Sequence, residues 1–172
     1  MTMFLRGIAG IVLGMLLIYS VDAQAVIGRK APEIISPAWI NSEPQSLSDL
    51  RGKVVMVEFW TFGCYNCRNV EPQIKKWHRT YADRGLVVIG IHTPEFSYEK
   101  EVDAVKKYVQ EKMIPYAVAI DNDFTIWNQY QNHYWPAIYL IDKQGVIRYI
   151  RAGEGNYAET EKMIQNLLAE TQ

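Results

Sequence analysis

The sequence predicts an α/β fold of three layers: a mixed central sheet, helices on both of its faces, and a short β extension at the N-terminal side. Three observations carry that expectation. Residues 54–57 and 86–91 are apolar without alternation, the pattern of strands buried on both faces. The segment between them has helical spacing, with Val70, Ile74, Trp77 and Tyr81 on one face, which suits a right-handed crossover between parallel strands. Residues 137–141 and 146–150 are β-rich and flank Asp142-Lys143-Gln144-Gly145, so they form a hairpin that adds an antiparallel part.

The chain of 172 residues is long enough for one domain with a real core. Its net charge of −1 provides no basic field, so no nucleic-acid partner is expected. Residues 1–25 read as a signal peptide or an N-terminal membrane anchor, and residues 26–172 as the folded domain. Arg6 supplies the positive n-region, and the apolar run 8–21 has the length of a signal-peptide core, short for a membrane span. Ala23 and Ala25 offer cleavage positions, whereas an anchor would need Arg6 to snorkel at the membrane surface. Both readings export the domain, to the periplasm or another extracytoplasmic space. The membrane is a partner only if the segment stays uncleaved.

Between residues 26 and 51, Pro32, Pro37 and Pro44 rule out a long helix, leaving a short hairpin or edge strands. Residues 48–53 then turn into the first central strand. Pro72 should kink the helix that follows Cys67, and Arg84-Gly85 ends it. His92-Thr93-Pro94 leaves the second strand. Residues 97–113 read as a helix through Val102, Val105 and Val109, with Ser97 as N-cap. Residues 116–120 make a third strand and 124–130 a short helix. Asn156 and Glu159 have the spacing of a capping box for a last helix that buries Met163, Ile164, Leu167 and Leu168.

The two cysteines, Cys64 and Cys67, sit where the first central strand gives way to a helix. The first helical turn presents unpaired N–H groups and the positive dipole end, and both favour a thiolate. A thiolate attacks disulfides, and a second cysteine one turn later can resolve the mixed disulfide. A purely structural bridge is poorly motivated, because so small a loop removes little unfolded-state entropy. Two cysteines are too few for a disulfide scaffold, and the spacing of His78, His92 and His133 matches no zinc pattern, so neither metal nor cofactor is expected.

Glu58 is an acid inside an apolar strand. It either points to solvent or is buried, and burial would raise its pKa and suit it to carry a proton for Cys67. Pro136 either starts an edge strand or follows a cis bond that turns the Trp135 backbone toward the cysteines, available to an extended substrate. Trp60, Phe62, Tyr65 and Trp135 are either core or an apolar docking surface around the cysteines. Trp77 reads as core, His133 as a surface residue and His92 as a loop residue, although His92 leaves a parallel strand on the side where α/β sites lie.

The strand leading into Trp60-x-x-x-Cys64-x-x-Cys67, the helical Pro72 and the late Trp135-Pro136 together resemble the thioredoxin superfamily over residues 53–168. Gly52-Lys53-Val54-Val55, Phe59-Trp60 and the exported N-terminus resemble the TlpA/ResA group of thiol-disulfide oxidoreductases. The stretches 60–67, 134–137 and 153–161 are similar to the soluble domain of DipZ-type proteins. The resemblance implies a thioredoxin-like domain, with Cys64 as attacking and Cys67 as resolving cysteine. It makes Glu58 the acid near Cys67, and Pro136 a cis-proline facing the pair. It implies a reductase of protein disulfides, as in cytochrome c biogenesis, fed by a membrane thiol donor of the CcdA/DsbD kind. DipZ-type proteins carry that donor fused, and here a separate partner is expected.

Gly63, Trp135 and Tyr65-Asn66 depart from cytosolic thioredoxins, which often have tryptophan, a smaller residue and Gly-Pro there. Two other readings compete. Thr61-x-x-Cys64 matches part of the peroxiredoxin pattern of a thiol peroxidase, with Val57 where that pattern has proline. A copper chaperone of this superfamily uses C-x-x-x-C, one residue longer than the spacing here.

Overall fold

The computed structural model describes residues 26–171, so the expected signal peptide or anchor lies outside the described residues. In chain order the elements begin with β1 (Trp39–Ile40), β2 (Val54–Trp60), α1 (Tyr65–Tyr81), β3 (Leu86–His92) and α2 (Val102–Glu111). They continue with β4 (Ala117–Ile120), α3 (Thr125–Gln129), β5 (Ala137–Ile141), β6 (Ile147–Ala152) and α4 (Tyr157–Ala169). The sheet order is β1-β4-β3-β2-β5-β6. β2 is parallel to β3, and β3 to β4, while β5, β6 and β1 pair antiparallel with their neighbours.

The unbroken apolar run of β2 follows from this position. It is hydrogen-bonded on both edges, and every one of its residues is buried. Its side chains alternate between faces. Val54, Met56 and Trp60 pack with residues of α1, α2 and α4, whereas Val55, Val57 and Phe59 pack with residues of α3 and of the segment before β2. Handedness explains the uneven division. The steps β2 to β3 and β3 to β4 run in the same direction along the sheet, so two right-handed crossovers place α1 and α2 on one face. The other face is left to the short α3 and to chain that Pro32, Pro37 and Pro44 keep out of helix, anchored by Val26, Ile34 and Leu47. There Phe59 meets Trp127, Tyr130 and Tyr139 edge-on.

The N-terminal β extension is realised by β1 on the sheet edge and a single bridge from Lys30 to Val146. Two expected helix starts differ. Residues 97–113 divide into a 3-10 turn, Ser97–Lys100, and then α2, whose N-cap is Glu101 rather than Ser97. The Glu99 side chain accepts from the Glu95 and Phe96 N–H groups, which winds this segment into a tight turn. Asn156 precedes α4 in the left-handed region, with φ of 53°, and makes no side-chain cap bond. An N-cap side chain reaches the N3 amide from extended backbone, so the capping box does not form. The Asn156 amide donates instead to Glu159 Oε2 at 3.2 Å.

Gly90 pairs with Glu58 across β2 and β3. A Cβ at Gly90 would lie 2.7 Å from Trp60 Nε1, so glycine leaves the room that this buried indole occupies. We predict that Gly90→Ala destabilises the protein by about 1–3 kcal/mol through overpacking. Equilibrium unfolding in urea checks this, and an unchanged midpoint would show that the indole moves aside freely.

Candidate active site

Beyond Trp60 the chain leaves the sheet through Thr61, Phe62 and Gly63 and enters α1 at Tyr65. Cys64 is the N-cap residue in extended conformation, its N–H donating to Thr61 O at 3.3 Å. Cys64 and Cys67 are joined as a disulfide with their Cα atoms 5.3 Å apart. The Cys67 N–H points at Cys64 Sγ, 3.2 Å away. A helix N-terminus aimed at a sulfur favours negative charge on it, and no acidic residue stands in the first turn of α1 to oppose that. Cys64 is half-buried while Cys67 is only 4% exposed, so an incoming disulfide can reach only the first sulfur.

Glu58 is buried, on the face of β2 that receives α1 and Cys67. Tyr116 Oη donates to Glu58 Oε2 at 3.1 Å. Loss of hydration pushes the Glu58 carboxyl up to about 8; the charge of Glu71 adds to this and the Tyr116 hydrogen bond partly offsets it. Glu71 itself accepts from Tyr108 Oη at 2.9 Å and from Lys75 Nζ at 2.7 Å. Buried Tyr116 is raised well above its usual value by desolvation and by the neighbouring Glu58 charge, so it stays a neutral donor.

The Trp135–Pro136 bond is cis. Ala137 pairs with Phe59, which sets Pro136 beside the end of β2 that leads to the cysteines. The aromatic cluster expected around the cysteines is only partly at the surface. Tyr65 is 70% exposed, but Trp60 is 5% exposed because its place in the β2 alternation turns it inward, edge-on to His92. Trp60 therefore offers no docking surface. Trp135 is half-buried, its Nε1 donating to Thr93 O at 2.9 Å and its ring 4.1 Å from that of Trp127.

His92 is not a loop residue but the last residue of β3, fully buried. Its Nε2 lies 3.2 Å from Thr61 Oγ1 and its ring stacks on Phe62. Burial lowers it to about 4, so it is neutral at ordinary pH. Thr61, the residue shared with the peroxiredoxin pattern, thus spends its hydroxyl on His92. Sequence reasoning also passed over Glu99, which is fully buried and whose Oε1 accepts the Gly63 N–H at 2.9 Å.

Residues 27–150 match the AhpC/TSA family. The chain belongs to that family. Within it, the chain is 44% identical over 133 residues to protein DipZ of Mycobacterium tuberculosis, a match of 76% of this chain and 19% of DipZ. The chain thus spans about a fifth of that relative. It is 29% identical to the thiol-disulfide oxidoreductase YkuV of Bacillus subtilis over 135 residues, 78% of this chain and 90% of YkuV. A thiol-disulfide isomerase from Corynebacterium glutamicum superposes with a TM-score of 0.73 at 31% identity, covering 82% of this chain and 98% of that one. The fold of this AhpC/TSA member is thioredoxin-like.

Glu58 and His92 give its stability a defined pH dependence between about pH 4 and 8. Folded Glu58 holds its proton more tightly than unfolded Glu58 between pH 4.5 and about 8, so its contribution falls as pH rises through that window. The slope is about 1.4 kcal/mol per pH unit. Folded His92 gives up its proton earlier, so its contribution falls as pH drops from 6.5 to about 4. The slopes oppose each other up to pH 6.5, and that of Glu58 stands alone from there to about 8. Unfolding of the disulfide form should show stability declining from pH 6.5 to 8, and Glu58→Gln should remove that decline. A Gln variant with the wild-type slope would rule out the perturbed carboxyl.

Proposed function

We propose that this protein is an exported thiol-disulfide oxidoreductase that reduces protein disulfides through Cys64 and Cys67. The observation that carries the reading is the division of the pair: a half-buried Cys64 under the α1 N-terminus and a buried Cys67 behind it. The chain's similarity to the thiol-disulfide oxidoreductase YkuV and to the Corynebacterium thiol-disulfide isomerase supports it. Export rests on Arg6 and the apolar run 8–21.

In the reduced protein the Cys64 thiolate attacks one sulfur of the substrate disulfide. That S–S bond breaks, a Cys64–substrate bond forms, and one substrate thiolate leaves. Cys67 then loses its proton and attacks Cys64 Sγ, closing the protein disulfide and expelling the second substrate thiolate. Two electrons pass to the substrate, whose two sulfurs leave as thiols once protonated. Glu58 takes the Cys67 proton. The ionised fraction of Glu58 accepts it, and a carboxyl raised to about 8 competes for a thiol proton far better than one at the ordinary 4.5. A membrane thiol donor of the CcdA/DsbD kind restores the dithiol from outside the domain. Apocytochromes c, oxidised exported enzymes and another redox carrier all have the disulfide chemistry this site would take.

Insulin reduction with a thiol donor, measured beside peroxide consumption, tests the activity. Cys64→Ser should abolish reduction, and Cys67→Ser should accumulate a mixed disulfide that gel electrophoresis without reductant detects. Peroxide turnover without disulfide reduction would replace this reading with a thiol peroxidase. Glu58→Gln should slow release of the second thiol about 10²-fold at neutral pH while Cys64 alkylation stays near wild type. Equal release rates would remove Glu58 from the mechanism. A potential near about −270 mV fits a reductant, and one near about −120 mV would reverse the direction.

A further inference from the structure

Glu99 stands outside the chemistry just described. It is 0% exposed, in the 3-10 turn between β3 and α2. Burying a carboxylate costs several kcal/mol unless hydrogen bonds replace its water. Three backbone N–H groups do so: Gly63 at 2.9 Å, Glu95 at 2.6 Å and Phe96 at 2.8 Å. All three are donors, the set that an anionic carboxylate accepts. One of them belongs to the residue immediately before Cys64.

The space at Gly63 is filled from the Glu99 side. A Cβ there would overlap Glu99 Oε1 and sit 2.6 Å from Tyr98 Oη. The tryptophan that thioredoxins often carry before the first cysteine would require the Glu99 carboxylate and the Tyr98 hydroxyl to move away. On the opposite side Arg68 Nη1 donates to Phe62 O at 3.3 Å and Gly63 O at 3.4 Å. The Cys64 loop is thus gripped through its N–H by an acid and through its carbonyls by a base.

We propose that Glu99 is a positioning residue for Cys64: it fixes the loop and sets a negative charge on the peptide immediately before that cysteine, restraining formation of the thiolate. Other titratable groups on the surrounding elements are Arg68, Tyr65, Glu71 and Lys75 on α1, Glu58 on β2, His92 on β3, Glu95, Tyr98, Lys100 and Glu101 around Glu99, and Glu154, which Asn69 of α1 reaches at 3.1 Å. His92 is neutral at ordinary pH, and Arg68 and the α1 N-terminus pull the thiol the other way. Among the described residues Glu99 is the acid that hydrogen-bonds the loop carrying Cys64. A couple whose reduced form is strongly stabilised is an oxidant, so a restrained thiolate moves this one toward reductant. That consequence rests on the oxidoreductase reading. The effect on Cys64 does not.

The test uses reduced protein carrying Cys67→Ser and Glu58→Gln, in which Cys64 is the remaining thiol of the described chain and Glu58 no longer titrates. Adding Glu99→Gln should lower the Cys64 pKa by about one unit, a tenfold shift toward thiolate, read from the pH profile of iodoacetamide alkylation. A loop that comes away from the α1 N-terminus loses the residue 67 N–H bond to Cys64 Sγ, which raises the pKa instead. An unchanged or raised pKa in a folded variant overturns the proposal. If Glu99→Gln does not fold, the ¹³C carboxyl resonance of Glu99 in the same background decides: an inflection at the Cys64 pKa supports it, and a flat titration overturns it. Wild-type protein without disulfide reductase activity would refute the function while leaving the Glu99 result standing.

Discussion

The dryness of β2 is the constraint on which the rest of the site depends. A strand bonded on both edges and covered on both faces leaves no water for a polar side chain, yet Glu58 stands in its middle with Tyr116 as its hydrogen-bond donor. One neutral donor does not replace hydration, so the carboxyl keeps its proton to about pH 8. The same strand delivers the chain to the start of α1, where the helix favours a thiolate. Packing and chemistry therefore meet in one element. Burial that costs stability as pH rises also gives the acid a proton affinity near that of a thiol.

Glu58 and Glu99 make an instructive contrast, because both are fully buried carboxyl groups near the cysteine pair. Glu58 has one phenol donor and an acidic neighbour in Glu71, which suits the protonated form. Glu99 has three backbone donors at 2.9 Å or less, and hydrogen bonds to charged groups contribute about 1.5–3 kcal/mol each. The number of donors, not the depth of burial, separates the two. One group is held near its neutral form, and the other holds a loop.

Much of this was legible from sequence because it depended on local pattern. The apolar runs at 54–57 and 86–91, the Gly-bearing turn after Ile141 and the strand-to-helix position of Cys64 each follow from neighbours a few residues away. What escaped depended on partners far along the chain. Glu99 sits in Glu95-Phe96-Ser97-Tyr98-Glu99-Lys100-Glu101, a charged stretch that reads as solvated, and its burial becomes apparent only when Gly63 is brought to it. His92 looked like a loop residue because Pro94 follows so closely, but its pairing with Trp60 and Ile120 extends β3 through it. Trp60 was placed beside the cysteines by sequence proximity, whereas alternation along β2 turned it inward toward the space that Gly90 vacates.

The reach of Glu99 follows from topology. Both crossovers run the same way along the sheet, so the connection from β3 to α2 leaves the same edge, over the same face, as the connection from β2 to α1. Adjacent parallel strands thereby bring two successive strand-to-helix loops side by side, and the second can donate a side chain to the backbone of the first. A loop held only by its own residues could keep Cys64 in place through the N-cap bonds of α1. A loop also held by its neighbour couples the geometry of Cys64 to the packing of α2. The entry to α2 is wound as a 3-10 turn around the Glu99 carboxylate, and the same carboxylate anchors the Gly63 peptide, so one charged group orders both loops at the edge where the chemistry takes place.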